Sequence, residues 1–304
     1  MTDLSGYDGE SFATDLTRAT ATVGAPTDAG VAEQAFKAFR PDFTTGTVLW
    51  RCTDRSGDPL SFRLFPLEPV NTQARAISAG LLDQRHPLMP LATSWSTLYD
   101  ANTQHSYAFD SDFGLTKTWI YFGSRRPAAE ILSAPSVPRA IARRGAEFHE
   151  RGLRDISFAA IDWRYNTVVL DFDISGPLTP ESLASLVATT GAPAVSARTA
   201  DTVLAYISRD HCVALAVDPA NGYAVDCGFS VMDVPTAKLP RLPARLEAFF
   251  ADAPTHAKDE FNVVGWSFGK KGPYMKAERQ YHGDIRALLA SWTEQTADRS
   301  ASGE

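Results

Sequence analysis

Only three cysteines, Cys52, Cys212 and Cys227, occur in the 304 residues, and no two form a C-x-x-C pair. The odd count and the spacing suggest neither a disulfide framework nor a thiolate zinc site, and free core thiols are expected. Six histidines are scattered without H-x-x-x-H or H-E-x-x-H spacing, so no preassembled histidine metal site is indicated. No run of about 18 apolar residues is present to span a bilayer. Met1 to Glu10 lacks a basic segment followed by an apolar one, so a cytoplasmic chain without membrane attachment is expected. A dense run of Lys or Arg is also missing, and the formal net charge is −7 with a pI near 5.4, which argues against a nucleic-acid partner.

Apolar and aromatic residues are plentiful, at 44% and 11% of the chain, with 21% charged. A large core with an ordinary globular surface is within reach. Phe12, Leu16, Ala19 and Val23, then Val31, Ala35, Phe36 and Phe39, recur at helical spacing and are interrupted at Gly24-Ala25-Pro26, which predicts two helices within 8–40. Two strands follow, Gly46 to Trp50 and Leu60 to Phe65, across the turn-rich Asp54 to Pro59.

The helix, helix, strand, strand order then repeats. The second unit has helices Thr72 to Leu82 and Leu91 to Asp100 with strands Gln104 to Phe109 and Leu115 to Phe122. The third has helices Ala128 to Leu132 and Pro138 to Arg151 with strands Asp155 to Trp163 and Thr167 to Ile174. In the fourth, Pro180 to Thr190 and a helix near Thr202 precede strands Cys212 to Asp218 and Ala224 to Val231, turning at Asn221-Gly222. Helix Leu242 to Ala251 and strands Asn262 to Phe268 and Tyr274 to Tyr281 form the last, and Ile285 to Thr293 closes the chain ahead of a disordered tail, 294–304. Paired strands alternating with paired helices do not give a parallel doubly wound sheet. They predict an α/β fold in one domain, 1–304, as an antiparallel ten-stranded barrel ringed by helices. Leu60, Phe62 and Leu64 alternate with Ser61 and Arg63, and Val168, Leu170 and Phe172 with Thr167, Asp171 and Asp173, so the polar face is expected to line a lumen.

Five segments carry a resemblance: Leu60 to Phe65 (LSFRLF), Lys117 to Gly123 (KTWIYFG), Phe158 to Arg164 (FAAIDWR), Asn262 to Gly269 (NVVGWSFG) and Tyr274 to Arg279 (YMKAER). Together the chain resembles the ABBA-type bacterial aromatic prenyltransferases, nearest the aminocoumarin-pathway enzymes that prenylate 4-hydroxyphenylpyruvate. The resemblance runs in order from about Phe12 to Trp292 and implies the same barrel. It also implies a transferase that attaches a dimethylallyl or other short prenyl group to carbon of a phenolic or other electron-rich aromatic molecule in secondary metabolism. By that resemblance Arg63, Lys117 and Lys276 bind the diphosphate of dimethylallyl diphosphate, and the ring of Trp119 shields the allyl cation. Glu278 matches the carboxylate that meets the acceptor hydroxyl. Trp119, Tyr121, Ser157, Cys212, Ala214, Ser230 and Gln280 are the implied substrate pocket. Ser61 stands where the magnesium-dependent branch has Asp, so the resemblance implies an enzyme that needs no cofactor and no metal. A monomer is expected.

Four positions depart from the pattern. Asp171 and Asp173 replace Tyr and Arg, Asp226 replaces a diphosphate-binding Arg, and Ser157 replaces the Arg near the acceptor carboxylate. The acids either pair with Arg63, Lys117 or Lys276, or hold a divalent ion with the diphosphate, or are catalytic groups, with Glu278, of an alternative enzyme that cyclises or rearranges a substrate without diphosphate chemistry; a non-catalytic carrier of aromatics is a third reading. Plainer roles stay open: Trp119 and Tyr121 as core aromatics, Asp171 and Asp173 on a solvated face, Glu278 in a structural ion pair. Gly265-Trp266-Ser267-Phe268-Gly269 also fits G-x-S-x-G, the nucleophile elbow of hydrolases, which requires a helix after Gly269.

Overall fold

The computed structural model describes residues 9–67, 72–99, 103–207 and 210–302. The first unit holds α1 (Gly9–Thr22), α2 (Ala29–Ala38) and α3 (Arg40–Thr45), then β1 (Thr47–Thr53) and β2 (Ser61–Phe65). α2 begins where the Asp28 carboxylate accepts from the amides of Gly30 and Val31. The third helix was not expected. It arises because Phe39 leaves helical geometry ahead of Pro41, whose ring cannot continue α2 but suits the first turn of a new helix.

The second unit supplies α4 (Thr72–Ser78), α5 (Met89–Ser96), β3 (Gln104–Asp110) and β4 (Gly114–Pro127). Asp100, the expected end of the second helix, lies outside the described residues. In the third unit, α6 (Ala128–Ser133) is followed by α7 (Arg139–Ala142) and α8 (Gly145–Glu150), so the single helix expected over 138–151 is broken just before Gly145, a poor helix former. β5 (Asp155–Asp162) and β6 (Thr167–Ile174) complete it, and the fourth unit runs α9 (Pro180–Ala188), α10 (Ala197–Tyr206), β7 (His211–Val217) and β8 (Ala224–Met232). The fifth has α11 (Ala244–Asp252) alone before β9 (Asn262–Gly269) and β10 (Gly272–His282). The closing helix α12 spans Ile285–Ser302, so 294–302 is helical where a disordered tail was expected, and the last two residues lie outside the described residues.

All ten strands pair antiparallel in chain order, and β10 returns to β1, which closes the barrel. Residues of period two on each strand therefore face either the helices or the lumen. Trp50, Phe62, Phe109 and Tyr281 point outward into one helix-covered core with Phe12 and Phe43, where the Phe12 and Trp50 rings stack 5.5 Å apart. Burial of each such side chain contributes roughly 1.5–3 kcal/mol, and this shell is the main reason the barrel stands.

One end of the barrel carries the hairpin turns, including Asn221-Gly222 between β7 and β8. The other is covered by α12, whose Ile285, Leu288 and Trp292 pack on Leu49, Phe65, Tyr121 and Phe261. Gln280 fixes this plug: its Oε1 accepts from the Ile285 amide at 3.0 Å and its Nε2 donates to the Gly283 carbonyl at 3.0 Å. Ser267 lies fully buried within β9, which turns at once into β10, so no helix follows Gly269 and the nucleophile-elbow reading falls.

Candidate active site

Strand phase decides which side chains enter the lumen. Arg63 on β2, Lys117 and Trp119 on β4, Asp171 and Asp173 on β6, Cys212 and Ala214 on β7, Asp226 and Ser230 on β8, and Lys276 and Glu278 on β10 all line one cavity of about 820 Å³. An eight-stranded barrel is nearly filled by its own side chains, and two further strands leave room for ligands. Tyr121 and Ser157 face an adjoining cavity of about 200 Å³ at the α12 end, which shares Asp171, Asp173 and Cys212 with the larger one. Gln280 is the exception among the expected pocket residues: it is buried and spent on capping α12.

The wall is uneven. Ala214, Ala216, Gly228 and Gly265 line the β7, β8 and β9 side, opposite Phe65, Trp119 and Phe158. A side chain at Gly228 would meet Ser267 Oγ at 3.2 Å and Lys276 Nζ at 3.6 Å, so glycine keeps that space open.

Nearly every lumenal cation is matched by a carboxylate. Lys117 Nζ lies 2.6 Å from Asp162 Oδ2, and Lys276 Nζ lies 3.7 Å from Asp226 Oδ1. Glu278 is held by two guanidinium groups, Arg63 at 3.4 Å and Arg51 at 3.7 Å. Glu278 is thus an ion-pair member and a lumenal group at once. Arg51 and Asp162 were missed from the sequence, although Arg51 shares the phase of Leu49 and Thr53 and Asp162 lies within the FAAIDWR segment. At the hairpin end Arg164 joins Asp110 at 2.9 Å and Asp112 at 2.8 Å, while Ser61 donates to Asp110 at 2.6 Å. Among the described residues no group of three or more His, Cys, Asp or Glu converges as metal ligands.

Arg63 also sits over Trp119, 4.8 Å from the ring centroid, and equally over Phe65. Trp119 is both core and site: its ring packs on Ala160 and Val169, yet its indole N–H is buried without a partner. The acids on β6 face the lumen and not solvent. Asp173 accepts from the Ser157 hydroxyl at 2.5 Å, lies 3.9 Å from Arg125 Nε, and has its carboxyl pushed up mainly by burial. Asp171 Oδ1 is buried with no hydrogen-bond partner, and burial, reinforced by the neighbouring Asp173 charge, raises its carboxyl to about 7. Arg63 and Lys276 oppose that rise without cancelling it.

A closed antiparallel barrel whose lumen joins cations to an aromatic wall defines an ABBA prenyltransferase barrel. The chain belongs to the aromatic prenyltransferase Orf2 family, whose model matches residues 7–293, and it is a transferase. It is 40% identical over 286 residues to a 4-hydroxyphenylpyruvate 3-dimethylallyltransferase of Streptomyces niveus, covering 94% of this chain and 88% of the relative. It is 34% identical over 294 residues to an aromatic prenyltransferase of Sclerotinia sclerotiorum, with 95% of each chain covered. Among solved structures, 5-dimethylallyltryptophan synthase from Streptomyces coelicolor shares the fold with a TM-score of 0.56 at 11% identity, over 89% of this chain and 96% of that one. The prenyltransferase PriB apo form does so at 0.55 and 12% identity, over 89% and 95%. No helix among the described residues is long and apolar enough to cross a membrane.

Proposed function

We propose that this enzyme transfers a dimethylallyl or other short prenyl group from its diphosphate to carbon of an electron-rich aromatic small molecule, without magnesium. The carrying observation is Arg63 packed 4.8 Å from the centroid of Trp119, which joins a leaving-group ligand to a ring fit to face a carbocation. In this reading the allylic C–O bond breaks with its electron pair passing to the diphosphate. Arg51, Arg63, Lys117 and Lys276 would receive the departing charge, supplying the neutralisation that a divalent ion gives elsewhere. The arene carbon then bonds to the allyl cation, and the ring loses its proton to a lumenal carboxylate such as Glu278 or to solvent.

The same reading makes the chain a monomer, since the closed barrel leaves no strand edge open among the described residues, and a cytoplasmic protein, since its three thiols are free. A lumenal cyclase without diphosphate chemistry would have little use for five cations lining the cavity. Incubation with dimethylallyl or geranyl diphosphate and a panel of phenols and indoles, in magnesium and in chelator, should release diphosphate equally in both. No release with any pair would overturn prenyl transfer, and release in magnesium alone would overturn the metal-free mechanism.

A further inference from the structure

The lumen is layered by the register of β4, β5 and β6. Lys117 lies beside Asp162 and Thr167, Trp119 beside Ala160 and Val169, and Tyr121 beside Phe158 and Asp171. Same-face residues on a strand are about 6.6 Å apart, so a cationic layer, an aromatic layer and an acidic layer follow one another toward α12. A prenyl diphosphate seated with its charge at Lys117 and its chain against Trp119 leaves the Asp171 layer to the acceptor.

The charges at that layer are specific. Five cations and six carboxylates line the cavity, and Arg51, Arg63, Lys117, Arg125 and Lys276 each lie within ion-pair distance of an acid other than Asp171. Asp210 accepts from the Gly176 amide at 2.7 Å. Asp171 Oδ1 is left buried and without a partner, and so is the indole N–H of Trp119, a side chain only 8% exposed in the next layer. Arg63 and Lys276 act on Asp171 from nearby, but each is paired with another acid, Glu278 or Asp226, and they offset its burial only in part, so a further cation is favoured there. Asp173, two residues along β6 on the same face, adds a second carboxyl that it shares with Arg125 at 3.9 Å, and the rings of Phe158 and Tyr121 flank the space. Aromatic faces and carboxylates together favour an ammonium and repel a carboxylate.

We infer that the acceptor carries a protonated amino group, received by Asp171 at the aromatic end of the lumen. This deepens the prenyl-transfer reading, on which it rests for the reaction but not for the binding. The test is calorimetry near pH 8 with three phenols: tyramine, its neutral counterpart tyrosol, in which a hydroxyl replaces the ammonium, and its carboxylate counterpart phloretate. Tyramine should bind about tenfold more tightly than tyrosol, the ratio a charge-assisted hydrogen bond gives, and phloretate weakest of all. In Asp171→Asn the tyramine advantage should shrink to about threefold or less. The inference is overturned if tyramine does not bind, if tyrosol or phloretate binds as well to the unaltered chain, or if the advantage survives Asp171→Asn. Because the charge series on the unaltered chain is decisive alone, a variant that fails to fold does not rescue the idea. Prenyl transfer is scored in parallel with dimethylallyl diphosphate: no diphosphate release with any of the three, while the binding order holds, would remove the transfer and leave the amine subsite standing.

Discussion

Asp171 has an ordinary carboxyl value of 3.8 that rises to about 7 in the folded chain. Between those values the folded state binds more protons than the unfolded one, so this residue lowers stability as pH rises through the window. Its penalty is absent below about 4 and complete above about 7. Asp171→Asn should therefore raise stability near pH 8 by on the order of 3 kcal/mol and leave it little changed near pH 4. Urea midpoints at the two pH values check this, and an equal shift at both would contradict it. At Asp226 the argument runs through its partner: Asp226→Asn frees Lys276 from a contact at 3.7 Å, and the KM for the prenyl diphosphate should fall about threefold to tenfold. A rise would mean that Asp226 positions Lys276 and does not merely compete for it. Period-two alternation and the family segments made Arg63, Lys117, Trp119, Lys276 and Glu278 legible as lumenal. Which acid answers which cation was not legible, because Lys117 meets Asp162 only through the β4 and β5 register.

Among the elements, the strands were read from sequence nearly as they stand, since β-branched and aromatic alternation marks them directly. Helix boundaries were harder: α3 and the split of α7 from α8 depend on single residues, Pro41 and Gly145, inside otherwise helical stretches. α12 was recognised as a closing helix but not as the plug of the barrel. Trp292, 1% exposed, stacks on Tyr121 at 5.8 Å and packs near Phe65 at 6.1 Å. Trp292→Ala should cost about 3–5 kcal/mol in chemical denaturation, with unfolding free energy as the measure. A loss below about 1 kcal/mol would show that α12 rests loosely on the barrel. The β7 to β8 turn carries a sharper constraint: Gly222 has φ +76°, and a Cβ there would lie 2.2 Å from the Ala140 carbonyl oxygen. Gly222→Ala should lower the melting temperature by a few degrees, because both backbone strain and a backbone clash oppose it.

For the molecule as a whole, closure is the governing fact. Each strand has two neighbours, and the helices ahead of α12 share one continuous core. Thermal unfolding followed by far-ultraviolet and near-ultraviolet circular dichroism should give coincident transitions, since no strand pair can leave without opening the ring. Separate transitions would place a cooperative boundary inside the barrel. The sequence by itself determined the repeat of helices and strands, the two-faced strands and the family, because these reside in local periodicity and in short ordered segments. Only the tertiary structure decided the ion pairs across the lumen, the use of Gln280 as a helix cap, and the isolation of Asp171. Those depend on strand register and shear, which bring residues far apart in the chain to one layer, and no spacing along the chain encodes them.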